Sequence, residues 1–201
     1  MFKSLNTGAL SLTVPFDDAL NLARISDFDG LDLPIKELVD LAKTTSIQDI
    51  LDRFHDAGVR PGGWGLPFDF RGDDAAYQEG LKLLPECAAL AQALGSPWCF
   101  TWILPFSDQL DYAANMDRHV QRLRPVASIL ADHGCRFGLE FVGPATARVG
   151  HTHEFIYTID GALELADRIG GNNVGLLVDC WHWYTSHGTA EDLARLTAQQ
   201  V

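Results

Sequence analysis

The chain has 201 residues, 47% hydrophobic and 21% charged, a composition that suits one globular domain with an ample core and excludes a disordered or fibrous chain. Its 15 basic and 27 acidic side chains leave a formal charge of −12, which repels polyphosphate and anionic lipid and argues against nucleic acid or a membrane surface as partner. The four cysteines, Cys87, Cys99, Cys135 and Cys180, form no CxxC pair, so neither a disulfide framework nor a zinc ribbon is expected and a cytoplasmic location fits.

The opening 20 residues hold one lysine and only short apolar runs, unlike a signal peptide. Strand-like runs then recur at Ser4–Asn6, Gly30–Leu33, Arg60–Trp64, Trp98–Ile103, Phe137–Val142 and Val174–Asp179. Each is followed by a loop and a stretch of helical period, the alternation that builds a parallel sheet. Ser46 to Asp49 reads as a capping box, with Ile50, Leu51 and Phe54 on the apolar stripe and Gly58 closing the helix. A longer pattern runs from Tyr77 to Leu94 with a kink expected at Pro85, and others end at Gly134 and at Gly170-Gly171. Thr189 is placed to start a last helix.

No linker or low-complexity tract divides the chain, so residues 1–201 are expected to form one domain. The first strand's loop, TGALSLTVP, lacks the GxGxxG of a dinucleotide fold. The polar residues fitted for chemistry fall at strand C-terminal ends, as barrel enzymes require. The expectation is therefore an α/β fold, a (β/α)8 TIM barrel of which about six βα units are present and the last two are missing. Exposed edges on the first and sixth strands would make the isolated chain unstable or self-associating.

Side chains alternate along a strand, so Gly175, Leu177 and Asp179 share one face of VGLLVD, and Gly138 shares a face with Glu140 in FGLEF. With the small residues turned to the crowded interior, both carboxylates converge at the barrel mouth. Two desolvated carboxylates need a proton, a basic partner or a cation, and neither has an adjacent Arg or Lys in sequence. A divalent metal satisfies both. His182 lies three residues past Asp179, near enough to join the shell or to hold a substrate oxygen.

These residues, GLEFVGP followed by NVGLLVDCWHWYTSHG, resemble the xylose isomerase-like TIM barrels, the sugar phosphate isomerase/epimerase superfamily. The resemblance extends over all six strands, including DGLDLP and GGWGLP. It implies that Glu140 is a metal carboxylate that also exchanges a proton with substrate, that Asp179 is the second metal carboxylate, and that His182 binds a substrate hydroxyl. The remaining ligands of that family, a histidine after strand seven and a glutamate after strand eight, have no counterpart in these residues.

Other residues weigh less. Trp64 and Trp102, at strand ends, are expected to line the pocket with faces suited to a sugar's C–H surface, and Arg148 is a candidate for a substrate phosphate or carboxylate. Trp181, Trp183 and Tyr184 read as packing, Cys180 as a buried thiol with no evident base, and His55, His119 and His133 as surface histidines. The H-x-H pair His151 and His153 lacks a third ligand.

The expected activity is isomerisation or epimerisation of a small keto sugar or polyhydroxy ketone through an enediolate, with Mn²⁺, Mg²⁺ or Co²⁺ favoured over Zn²⁺ by the oxygen-rich ligand set. A lyase or dehydratase of the inosose or keto-glycoside kind uses the same intermediate and is the nearest alternative. A non-catalytic binding barrel, or one part of an assembly, is the alternative from another class. The partner is a small sugar, with association into homo-oligomers through the open edges. A DNA-repair role is disfavoured by the charge and by a strand-four end, FTWILPF, without histidine.

Overall fold

A computed structural model describes residues 2–201. Three short parallel strands, β1 (Ser4–Leu5), β2 (Gly30–Leu31) and β3 (Arg60–Pro61), pair in that order. Four more parallel strands follow: β4 (Trp64–Gly65), β5 (Trp98–Ile103), β7 (Arg136–Phe141) and β9 (Val174–Leu177). β3 and β4 are one barrel strand broken by Gly62-Gly63: the Gly62 N–H donates to Leu31 O and Gly63 O accepts from Leu33, both on the β2 side, while β4 pairs with β5. Gly62 is required at the break, because a Cβ there would collide with Ser4 Oγ and lie 2.6 Å from Asp32 Oδ1. The result is six successive parallel barrel strands, the α/β TIM-barrel arrangement expected.

Helices α1 (Phe16–Ile25), α2 (Ile35–Ala42), α3 (Ile47–Ala57), α4 (Asp74–Ala93), α5 (Tyr112–Asp132) and α6 (Ile159–Ile169) connect these strands. α3 has the expected ends, a reciprocal Ser46–Asp49 capping box and a left-handed Gly58. α4 continues through Pro85, and α5 likewise contains Pro125. The last turns form α7 (Cys180–Thr185) and α8 (Ala190–Ala194), the latter capped by Thr189. Two small strands lie outside the barrel, β6 (Phe106–Ser107) and β8 (His153–Glu154), which pair antiparallel across the loops that follow β5 and β7.

The core lies between sheet and helices. Cys99, Thr101 and Ile103 of β5, Phe137, Leu139 and Phe141 of β7, and Leu176 of β9 are buried there and face α4, α5 and α6. The alternate residues, Phe100 and Trp102, Gly138 and Glu140, and Leu177, take the other face, toward the barrel axis. No helix among the described residues is long and apolar enough to cross a membrane.

Candidate active site

Trp102, Glu140 and Leu177 are register partners on three adjacent strands, so their side chains stand in a row on the axial face. Asp179, two residues beyond Leu177, returns to that face just past the end of β9, where it starts α7 rather than ending a strand. Its Oδ1 accepts the His182 N–H at 2.9 Å, the ordinary duty of a cap, and its second oxygen has no hydrogen-bond partner among the described residues.

Burial pushes the Glu140 carboxyl up to about 7, and the charge of Asp179 pushes in the same direction. The two acids are thus near enough for one to resist the ionisation of the other. No lysine, arginine or histidine forms an ion pair with either among the described residues. His182 Nδ1 is buried without a partner. Two repelling carboxylates without a cationic side chain beside them are a donor pair that a divalent cation fits. No group of three or more His, Cys, Asp or Glu side chains is placed to hold a metal among the described residues, so this chain offers two carboxylates rather than a closed shell.

Gly143 joins the two halves of the site. A Cβ there would run into the His182 carbonyl and lie 2.8 Å from Thr185 Oγ1, so only glycine lets the loop after β7 pass directly against α7. Glu140 and Asp179 are held in one frame by that close approach.

The other expected residues divide. Trp102 is 45% exposed on the axial face, and the Arg71 guanidinium lies 4.3 Å from its ring centroid while donating to the Trp102 carbonyl. Trp64 is fully buried, shares the side of its register partner Cys99, and donates Nε1–H to Ser96 O. The glycine break before it turns it into the layer between sheet and helices, so it presents no face to the mouth. Arg148 is consumed locally: it donates to Gly143 O and Pro144 O, reaches Glu154 at 3.4 Å and covers the Tyr157 ring at 3.6 Å. It fastens the loop after β7 and leaves little of itself for a phosphate.

Several side chains lie where periodicity did not put them. His119 is buried, not at the surface, because α5 packs it between Phe70 and Phe155. Trp181 and Tyr184 are 59% and 70% exposed and Cys180 is exposed, since one face of the short α7 has nothing against it. Trp183 does pack, with its Nε1–H on Thr189 O. His151 does not form a chelating pair with His153; its Nδ1 pairs with Asp108 at 2.9 Å.

Asp32 was missed. It follows β2 on the same face as Ser4 and accepts from Ser4 Oγ at 2.6 Å and Asn6 Nδ2 at 3.1 Å. Burial raises its pKa despite these bonds and one from the Gly63 backbone. Its signal was present: GLD in DGLDLP has the same glycine-to-acid spacing as GLE in FGLEF.

Comparison with known proteins agrees with the fold. A family model described as xylose isomerase-like TIM barrel matches residues 14–200. A xylose isomerase domain protein from Alicyclobacillus acidocaldarius superimposes with a TM-score of 0.84 at 29% identity, over 94% of this chain and 67% of that one. The IolI protein with a bound zinc atom superimposes with a TM-score of 0.74 at 18% identity, over all of this chain and 70% of that one, a likeness of fold. Among curated proteins, an inosose isomerase of Halalkalibacterium halodurans is 23% identical over 129 residues, which is 64% of this chain and 43% of that protein. The matched part is thus less than half of that relative.

Proposed function

Because the chain belongs to the xylose isomerase-like TIM barrel family, we propose that it is a metal-dependent isomerase or epimerase of a small keto sugar or polyhydroxy ketone. One observation carries the reading: Glu140 and Asp179 converge at the mouth without a cationic side chain to neutralise them, and Glu140 is lifted to about 7. The similarity to an inosose isomerase supports a cyclic keto-polyol as the first substrate to try.

Glu140 and Asp179 would hold the cation, and an oxygen-rich ligand set favours Mn²⁺, Mg²⁺ or Co²⁺ over Zn²⁺. When bound, such an ion stabilises negative charge that develops on substrate oxygens. Glu140 takes the proton from the hydroxyl-bearing carbon beside the carbonyl and returns it to the former carbonyl carbon, which moves the carbonyl; inverting the configuration instead would need a second acid on the opposite face. His182 orients a hydroxyl, and the open face of Trp102 takes the C–H surface of the ring.

The test combines binding and exchange. Calorimetric titration with Mn²⁺ is expected to show binding that Glu140→Gln and Asp179→Asn each weaken at least tenfold. In D2O with 2-keto-myo-inositol, proton NMR should show deuterium entering beside the carbonyl, and Glu140→Gln should stop it. Unchanged Mn²⁺ affinity in both variants would refute the reading, and loss of water from the substrate would convert it to a dehydratase.

A further inference from the structure

The β6–β8 ribbon holds an imidazole in a geometry that the reading above does not use. His151 Nδ1 lies 2.9 Å from Asp108 Oδ2. Asp108 is itself pinned, because its Oδ1 accepts the Thr152 N–H at 2.9 Å and is 3.3 Å from the Thr152 hydroxyl. The imidazole is stacked on Phe106, with centroids 3.3 Å apart and planes within 11°. In the ribbon's register Phe106 is opposite Glu154, not His151, so the ring lies over the start of β6, in the loop that follows the C-terminal end of β5. The main chain ties the ribbon to the same place, as the Phe155 N–H donates to Pro105 O.

The consequences are chemical. A carboxylate at Nδ1 selects the tautomer with its proton there, and Nε2 is left as the one nitrogen with a lone pair. It has no partner among the described residues, and the His151 side chain is 32% exposed. Pairing with His151 also holds the Asp108 carboxyl below the usual carboxylate range, so the orienting group is ionised at neutral pH. A ring fixed by stacking, a tautomer fixed by a buttressed carboxylate and one free nitrogen form the base-plus-orienter half of a proton-transfer site. An ordinary surface ion pair needs neither the stacking nor the buttress.

We propose that Asp108 and His151 form a proton-transfer dyad at the barrel mouth, with His151 Nε2 working on the oxygens of a cyclic keto-polyol while Glu140 works on its carbon. This rests on the isomerase reading. After Glu140 has removed the carbon-bound proton, the former carbonyl oxygen carries negative charge and its neighbour is still a hydroxyl. The hydroxyl gives its proton to Nε2, and the imidazolium gives a proton to the charged oxygen. No bond to carbon changes in this step, nothing is oxidised or reduced, and the dyad ends as it began. The carbonyl has moved to the adjacent carbon once Glu140 reprotonates the other one.

The experiment follows two readouts on 2-keto-myo-inositol with Mn²⁺ in D2O by NMR: deuterium entry at carbon, and appearance of the ketone at the neighbouring position. His151→Gln should leave deuterium entry within about twofold and slow carbonyl relocation at least tenfold. Asp108→Asn should slow relocation similarly although the imidazole remains, and ¹⁵N shifts should show its proton moving to Nε2. Normal relocation in His151→Gln overturns the dyad, as does an unchanged tautomer with slowed relocation in Asp108→Asn. A wild-type chain that exchanges no deuterium overturns the isomerase reading and takes the dyad with it, an outcome distinct from exchange without any effect of His151→Gln.

Discussion

Two buried titratable residues contribute to the pH dependence of stability with opposite signs. Glu140 holds its proton up to about pH 7 in the folded chain, whereas an unfolded glutamate releases it near 4.5. Between these values the native state binds more protons, so its contribution falls as pH rises through the window. With metal removed by EDTA, Glu140→Gln should therefore raise stability at pH 8 by about 1–3 kcal/mol and have little effect at pH 4.5. Equal effects at both pH values in urea unfolding would contradict this account. His119 is the reverse case. Burial lowers its pKa from 6.5 to about 4, so the unfolded chain binds the extra proton and stability is lost as pH falls from 6.5 through 4. The loss reaches about 3 kcal/mol. His119→Gln should flatten that limb of the stability curve, and a limb of unchanged depth would show that other groups cause it.

At the level of elements, the ends of β7 and β9 matter more than their lengths. Glu140 belongs to a regular six-residue strand, but Asp179 owes its position to a helix cap, and the cap owes its position to Gly143. Gly143→Ala touches neither carboxylate, yet its Cβ meets the His182 carbonyl and must push α7 away. We expect it to weaken Mn²⁺ binding at least tenfold by calorimetry. Ser46→Ala, which breaks the capping box of α3 far from the mouth, should instead cost about 1 kcal/mol of stability and leave Mn²⁺ affinity unchanged. The H-bonded pattern of α3 was plain in the sequence because capping is local: every group involved lies within four residues. The Gly143 contact joins residues that are 39 positions apart, and nothing at Gly143 itself announces it.

For the molecule as a whole, the six barrel strands form a curved sheet whose first and last members, β1 and β9, each pair with one neighbouring strand among the described residues. The chain's last residues lean on that open side of β9, where Gln200 O accepts from the Leu176 N–H and Arg136 donates to Ala198 O and Gln199 O. Open strand edges recruit partners. The 201-residue chain is accordingly expected to self-associate, with a sedimentation coefficient that rises over a range of tens of micromolar. A concentration-independent monomer would show that the edges are adequately covered. Asp32 also acquires meaning at this scale: it follows the C-terminal end of β2 as Glu140 stands near the C-terminal end of β7, which places buried acids at the same end of the parallel strands.

The order of strands and helices, the caps of α3 and α8, and the axial placement of Glu140 and Asp179 were legible from residues alone. Each depends on a short period: two in a strand, 3.6 in a helix, or the few residues of a cap. Those periods persist whatever the chain packs against. What tertiary structure alone decided was which periodic face met a neighbour and which stayed free. The Gly62-Gly63 break shifted the phase of the third strand and sent Trp64 into the core. Loop closure spent Arg148 on backbone carbonyls and brought Asp108 to His151 across 43 residues. Such pairings depend on distances between segments remote in sequence, and a period measured along one segment carries no information about them.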